Sequence, residues 1–576
     1  DVSTQNQGNS LTAFNNNGFT LGGGYLGTNG NGYKYVSWTF RKQPKFFDVV
    51  TYTGNGTAGR TVAHSLGSVP GCIIIKKTSG VESWAVYHRS LGTAQALRLN
   101  LTNAASSPYW NGTSPTSTVF TVDNSGEVND NGATYVAYLF AHDAGGFGLT
   151  GTDNVISCGT YTGAGANLNI NLGYEPQWVM IKSTTNAVNW VMFDTMRGLP
   201  TSGDGKDLRP NLTDSEGDNS ALSITSTGFL ARTGIDGQVN ANGYSYIYIA
   251  IRRGPMAVPT TGTSVFSPNS QTASTGTAIT TNFPPDLQLY RSTSQVANEG
   301  VVVDRLRGVN TTTTANSTPW LDTTTTAAEA TASSVTRNWG NTGFQMPGFV
   351  ATVPSVFLSF RRAPSFFDEV CYTGTGSSQN ISHNLAAVPE LLIIKRRNST
   401  GNWEAAVPST TAGSFFVGTS GAPISLNTTN GNGGQSAYAW ASNTGTTTYF
   451  NPSGVFWNGN ASGGTYVAYL FATCAGVSKV GTYTGTGAAQ TINCGFTAGS
   501  RFVLIKRTDS TGDWYVWDSA RGIIPSNDPY LLLNSTAAQV TGTDYVDTTN
   551  VGFDITSTAP AAINANGGTF IFLAIA

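Results

Sequence analysis

Charge is scarce in this sequence. Asp, Glu, Lys and Arg together make up 11% of it, less than half of the roughly 25% usual in globular proteins. The few charges nearly cancel, 30 basic against 32 acidic residues for a formal net charge of −2. The chain therefore carries no electrostatic footprint for nucleic acid or anionic lipid, and neither partner is expected. Long apolar runs are missing too. No window approaches the roughly 20 apolar residues of a membrane-spanning helix, so no membrane insertion is expected, and no signal peptide is visible. Cysteine and histidine are few. Cys72, Cys158, Cys371, Cys474 and Cys494 show no Cys-x-x-Cys spacing, which points to unpaired thiols rather than a disulfide framework and leaves no set of ligands for a metal or cofactor. His64 and His383 sit at matching places in the pattern below, where a structural turn is the expected role. Sustained helical periodicity is absent throughout.

What is present is aromatic and repetitive. With 11% aromatic and 39% hydrophobic residues, the chain has more to bury than a disordered segment of equal Gly, Ser, Thr and Asn content. Val50-Thr51-Tyr52-Thr53-Gly54-Asn55-Gly56 returns as Gly159-Thr160-Tyr161-Thr162-Gly163-Ala164-Gly165, as Val370-Cys371-Tyr372-Thr373-Gly374-Thr375-Gly376 and as Gly481-Thr482-Tyr483-Thr484-Gly485-Thr486-Gly487. Neighbouring copies lie about 110 residues apart and alternate copies about 320, so three modules make one larger unit. The middle member of that unit is worn. It keeps Leu287-Gln288-Leu289-Tyr290, Asp304-Arg305-Leu306-Arg307-Gly308 and a closing Val356-Phe357-Leu358-Ser359-Phe360-Arg361-Arg362.

Each module reads the same way. After the Tyr-Thr-Gly turn comes a Pro-led apolar strand bounded by basic residues, as in Pro70-Gly71-Cys72-Ile73-Ile74-Ile75-Lys76-Lys77, and then a Trp-led strand such as Trp514-Tyr515-Val516-Trp517-Asp518. The two are expected to form a hairpin. The closing strand, Tyr466-Val467-Ala468-Tyr469-Leu470-Phe471-Ala472 for example, alternates after an Asn/Gly-rich turn and suggests a sheet packed on one side. The expected fold is all-β, a tandem array of β-sandwich modules of jelly-roll or lectin-like type, each about 105–110 residues and just able to bury its own core. The expected division is the C-terminal half of a module at 1–45, then modules at 46–150, 151–255, 256–363 (the degenerate one), 364–474 and 475–576. The half-module at the start, and the absence of an Arg pair after Phe570-Ile571-Phe572-Leu573-Ala574-Ile575-Ala576, suggest a window on a longer polypeptide.

No catalytic residues are expected. There is no Gly-x-Ser-x-Gly elbow, no His placed as a base in every module and no recurring carboxylate pair. Asp194 with Arg197, and Asp518 with Arg521, are three residues apart at a strand exit, where a charge-assisted hydrogen bond would pin the turn; a grip on a sugar hydroxyl is the rival reading. Trp84, Trp190, Trp403 and Trp514 share one strand position and read as core or inter-sheet residues. Aromatics outside the repeated frame, Tyr109, Trp110, Trp320, Trp440 and Trp457, are the better candidates for an exposed ligand-binding platform, since a flat ring stacks on sugars. Asn-x-Ser/Thr matches such as Asn211-Leu212-Thr213 and Asn534-Ser535-Thr536 are expected by chance in so Asn- and Thr-rich a chain.

The segments Thr61 to Gly92, Ala133 to Gly165 and Arg501 to Ile523 closely resemble repeat modules of tail-fibre-like structural proteins from marine and freshwater tailed phages, the cyanophage type in particular. The resemblance covers the four clear modules. It implies a virion component exposed on the particle surface, a phage tail fibre whose partners are other virion proteins and a host cell-surface polysaccharide or envelope receptor. It also implies host attachment by many weak contacts. Fibres of this kind are often homotrimers, although self-contained sandwiches strung as monomeric beads satisfy the same sequence. The family supplies no catalytic or binding residues to carry over. A bacterial extracellular adhesin or filament subunit, and a tailspike-like polysaccharide depolymerase, are the alternative expectations.

Overall fold

A computed structural model describes residues 10–576 apart from 24, 234–236, 273–275, 295–299, 310–317, 333–338, 346–353, 407–423, 432–445 and 453–456. Among the described residues the chain is all-β, apart from single helical turns, and its strands form tandem two-sheet sandwiches. Among the described residues no helix is long and apolar enough to cross a membrane.

In the first module the large sheet runs in the order Phe47–Thr53, Thr134–Ala141, Pro70–Lys77, Ala85–His88, Leu97–Arg98, and Arg60–Ala63 pairs with Val119–Val122 in a small second sheet. The fifth module repeats this order with Ser478–Thr484, Thr569–Ile575, Phe502–Arg507, Trp514–Asp518 and Leu531–Leu532. The worn third module keeps it as well, with Phe266–Gln271, Ser355–Phe360, Leu287–Ser292, Val301–Asp304 and Thr318–Asp322. Sequence wear has not altered its topology. In every module the apolar strand, Pro-led in all but the fifth, and the next one form the antiparallel hairpin read from the sequence.

The recurring Tyr-Thr-Gly-x-Gly segment has a steric cause. A Cβ on Gly54, Gly163, Gly374 or Gly485 would stand 2.0, 2.1, 2.3 or 2.3 Å from a carbonyl oxygen of the turn before the closing strand. The second glycine, Gly56, Gly165, Gly376 or Gly487, has a φ between +64° and +72°, which only glycine adopts without strain. A buried asparagine then ties the two turns together. Asn129 Oδ1 accepts from the Asn55 amide at 2.9 Å, and its Nδ2 donates to the Thr57 and Asp123 carbonyls at 2.8 Å each. Asn240, Asn460 and Asn564 make the corresponding bonds.

The one-sided packing read from the closing strands is incomplete, because the large sheets are buried on both faces. In the first module Ile73, Ile75, Ala137 and Leu139 face the small sheet, while Cys72, Ile74, Val86 and Phe140 face a neighbouring module. Burial on both sides explains why the Pro-led strands are continuous apolar runs rather than alternating ones.

The neighbours are arranged in threes. One core contains Leu358 and Phe360 of the third module, Tyr469 and Phe471 of the fourth, and Phe502 and Leu573 of the fifth. At its centre the Phe360 ring lies 5.8 Å from Phe471 and 6.1 Å from Phe502. A cavity of about 60 Å³ persists there, lined by apolar side chains of all three modules, with Thr323 at its wall. The first and second modules form an analogous unit with residues 10–42. There Phe40 lies 5.6 Å from Phe140 and 6.4 Å from Trp178, the positions that match Phe471 and Phe502. Strands Leu11–Asn15 and Gly18–Leu21, the turn Leu26–Asn29 and the segment carrying Trp38 and Phe40 correspond to the closing half of a module. The chain is thus two three-position cycles, and the strung-bead arrangement is replaced by a packed one.

Replacing Asn129 with Ala leaves three backbone groups without their partner and is expected to lower unfolding free energy by about 2–4 kcal/mol. Exposed Asn131→Ala serves as the control, and urea denaturation of both variants provides the comparison.

Candidate functional site

The side chains that recur from module to module converge on the contacts between modules. In the second, fourth and fifth modules the lysine near the end of the strand that opens the hairpin crosses into the neighbour, whereas Lys76 of the first module ends on the Glu82 carbonyl of its own module. Lys182 Nζ donates to the Thr102 carbonyl of the first module at 3.0 Å. Lys395 donates to Thr326 of the third at 3.2 Å, and Lys506 to Thr429 of the fourth at 3.0 Å. Beside each lysine a tryptophan indole does the same. Trp190 Nε1 reaches the Arg98 carbonyl at 2.9 Å, Trp403 that of Asp322 at 2.6 Å and Trp514 that of Ser425 at 3.1 Å. A hook of one ammonium and one indole therefore grips two carbonyls four residues apart.

The third module closes the trailing cycle differently. Gly300 stands at the tryptophan position, and Arg291 at the lysine position takes two carbonyls by itself, donating to that of Leu532 and, at 3.1 Å, to that of Ala537 in the fifth module. Thr323 Oγ1 adds a bond to the Leu533 carbonyl at 2.8 Å, and the Gln539 amide donates to Thr293 at 2.9 Å. Burial draws the ammonium groups of Lys182, Lys395 and Lys506 down to about 8, because a low-dielectric site disfavours the charged form.

The Asn-x-Thr matches prove to be part of this apparatus. Asn211 and Asn534 accept from the backbone amides of Trp190 and Trp514 at 2.9 Å, as Asn100 and Asn427 do for Trp84 and Trp403. Both asparagines thus have a structural role beside the hook that the sequence reading did not assign them. The signal was an asparagine recurring 16 to 24 residues behind the tryptophan in four modules.

The Asp–Arg pairs close as tight strand-exit turns. Arg197 Nε donates to Asp194 Oδ2 at 2.6 Å and its amide to Oδ1 at 2.9 Å, and Arg521 binds Asp518 at 2.6 and 3.1 Å. Arg307 and Asp304 form the same pair. The aspartates are also acceptors for the next position of the cycle. Tyr469 donates to Asp304 at 2.6 Å, and Trp38 to Asp194 at 3.2 Å.

Trp110 is not part of an exposed aromatic platform. Trp110 is 1% exposed, packs against Tyr87 and Tyr109 and donates to the Gln95 carbonyl at 3.2 Å. It is a core residue because the loop carrying it folds beneath the sandwich. Trp320 is half-buried against the core of the third module. Trp440 lies outside the described residues, as does the side chain of Trp457, whose backbone begins the turn Trp457–Asn460. His64 and His383 brace equivalent loops, each ring facing a threonine carbonyl at 3.2 Å. All five cysteines are unpaired.

A second polar cluster joins the two cycles. Arg362 is buried and donates to both oxygens of Glu175, at 2.8 and 2.7 Å, and to Asp368 at 2.7 Å. Bidentate pairing of this kind makes a buried guanidinium tolerable, whereas removing one partner leaves an uncompensated charge. Thr201 of the second module donates to the Leu306 carbonyl at 3.1 Å, and Arg305 reaches back to Thr195 at 3.4 Å.

Fold and contacts together define a class: an all-β repeat protein whose modules lock into cycles through buried side-chain-to-carbonyl hooks. The chain belongs to the family described as Domain of unknown function (DUF7483), which matches residues 1–255 and 329–576. Each matched segment holds the closing half of one module and the two modules that follow. No curated protein matches the chain.

The hook lysines carry a signed pH dependence. Their folded values lie below the ordinary 10.5, so the unfolded chain binds more protons between about pH 8 and 10.5, and stability from this source rises with pH across that window. Lys506→Met is expected to remove one share of that rise, seen as a flatter dependence of the urea midpoint on pH.

Proposed function

We propose that this protein is a structural fibre component of a tailed-phage virion, exposed on the particle and attaching it to the host surface through many copies of weak contacts. The observation that carries the reading is the cyclic packing. The repeated residues are committed to turns, cores and hooks, which makes a stiff, neutral building unit whose loops are left to vary between copies. A surface of that kind suits multivalent adhesion to polysaccharide, in which affinity accumulates through geometry rather than through one deep pocket. The threefold character usual for fibres is met here by three modules of one chain, so assembly from identical chains is not needed to produce it.

Gold-labelled antibody against the folded chain is expected to decorate purified virions at projecting structures, and excess soluble chain to slow adsorption to host cells. Unlabelled virions would refute the virion assignment, and unchanged adsorption the attachment role. A fall in the length of host polysaccharide on incubation with the chain would replace adhesion with depolymerase activity.

A further inference from the structure

Glu369 stands at a position where the modules differ sharply in chemistry. It faces outward from strand Phe367–Thr373, directly across from Tyr469. The corresponding positions, read from the same strand pairing, are Val49, Cys158, Pro268 and Val480. A carboxyl group thus occupies a place that is otherwise apolar or proline. It is 0% exposed, and neither oxygen has a hydrogen-bond partner.

Its surroundings are the meeting place of three modules. The third module brings Asp286, Asp304 with its partner Arg307, Arg305 and Arg362. The fourth contributes Asp368, Tyr469 and, two residues along the same strand face, Cys371. The second supplies Glu175 on Arg362, and Thr195 and Thr201 on the facing turn. The arginines are already engaged: Arg362 by Glu175 and Asp368, Arg307 by Asp304 and Glu329, and Arg305 by the Pro285 and Thr195 carbonyls. Three aspartates and no free donor confront Glu369.

We propose that Glu369 is a proton-operated latch: with its proton in place the junction between the second, third and fourth modules is closed, and loss of that proton loosens it. Burial, and then the repulsion of Asp304, push the Glu369 carboxyl well above its ordinary 4.5, with Arg362 opposing. A carboxyl raised in this way stabilises the folded chain fully below its unfolded value, and that stability is lost as pH climbs toward the folded one. The hook lysines act in the opposite sense and at higher pH, and they are common to all variants compared.

The test uses the full chain with Glu369→Gln and with Glu369→Val, the latter placing at this position the residue found in the first and fifth modules. Thermal midpoints are read from pH 5 to 9. The latch predicts that the wild-type midpoint drops relative to both variants as pH rises, so that the gap widens to at least a few degrees at pH 9. Amide hydrogen exchange in residues 195–202 and 304–307 should quicken with pH in wild type more than in Glu369→Val, beyond the ordinary base-catalysed rise. A gap that is constant with pH, or equal exchange in the two proteins, would overturn the proposal.

Discussion

The structure depends on a hook of two side chains that leave their own module and end on the backbone of the next. An ammonium group and an indole N–H, buried side by side, bond to two carbonyls four residues apart in the neighbour. Burying a lysine is costly unless its donors are satisfied. Here they are satisfied by carbonyls of the turn that follows a short strand of the neighbour, Thr326 and Thr429 among them. Each module therefore solves a polar problem of its neighbour while covering that neighbour's apolar face. That reciprocity turns sandwiches of about 105–110 residues, individually marginal in size, into a cooperative unit of three.

Departures from the repeat are placed where the cycle has to know its own order. If every contact used the same lysine and tryptophan, any module would fit any neighbour. In the trailing cycle the closing contact is instead made by Arg291 beside Gly300, with Thr323 and Gln539 adding bonds across the same seam. Part of the wear of the third module thus falls where it faces a partner that is distant in sequence. Its neighbour on the other side keeps the ordinary hook, Lys395 and Trp403. The charge cluster around Arg362 similarly marks the join between the two cycles, where a Glu from the second module and an Asp from the fourth share one guanidinium.

Much of the fold was legible in the chain because its causes are local. The Tyr-Thr-Gly-x-Gly segment announces itself through two glycines, one forced by close approach and one by backbone angle. Strand identity followed from apolar runs and the hairpin from their spacing. What crossed between modules was harder to read. The basic residue at the end of the Pro-led strand was visible, but a lysine at a strand end reads as solvated until the neighbour is present. The asparagines behind the tryptophans were masked by a composition in which Asn-x-Thr is common. Trp110 lay outside the repeated frame and looked like a surface ring, yet its loop folds inward. The continuous apolar strands were the overlooked sign that both sheet faces are covered.

The central claim is that three consecutive modules of one chain close into a cycle. A distance measurement between spin labels at positions 293 and 539 tests it most directly. These positions are joined by a backbone hydrogen bond of 2.9 Å although 246 residues of sequence separate them. The cyclic arrangement predicts one short, narrow distance in the folded chain. A long or broad distribution, as expected for modules strung in a line, would contradict it.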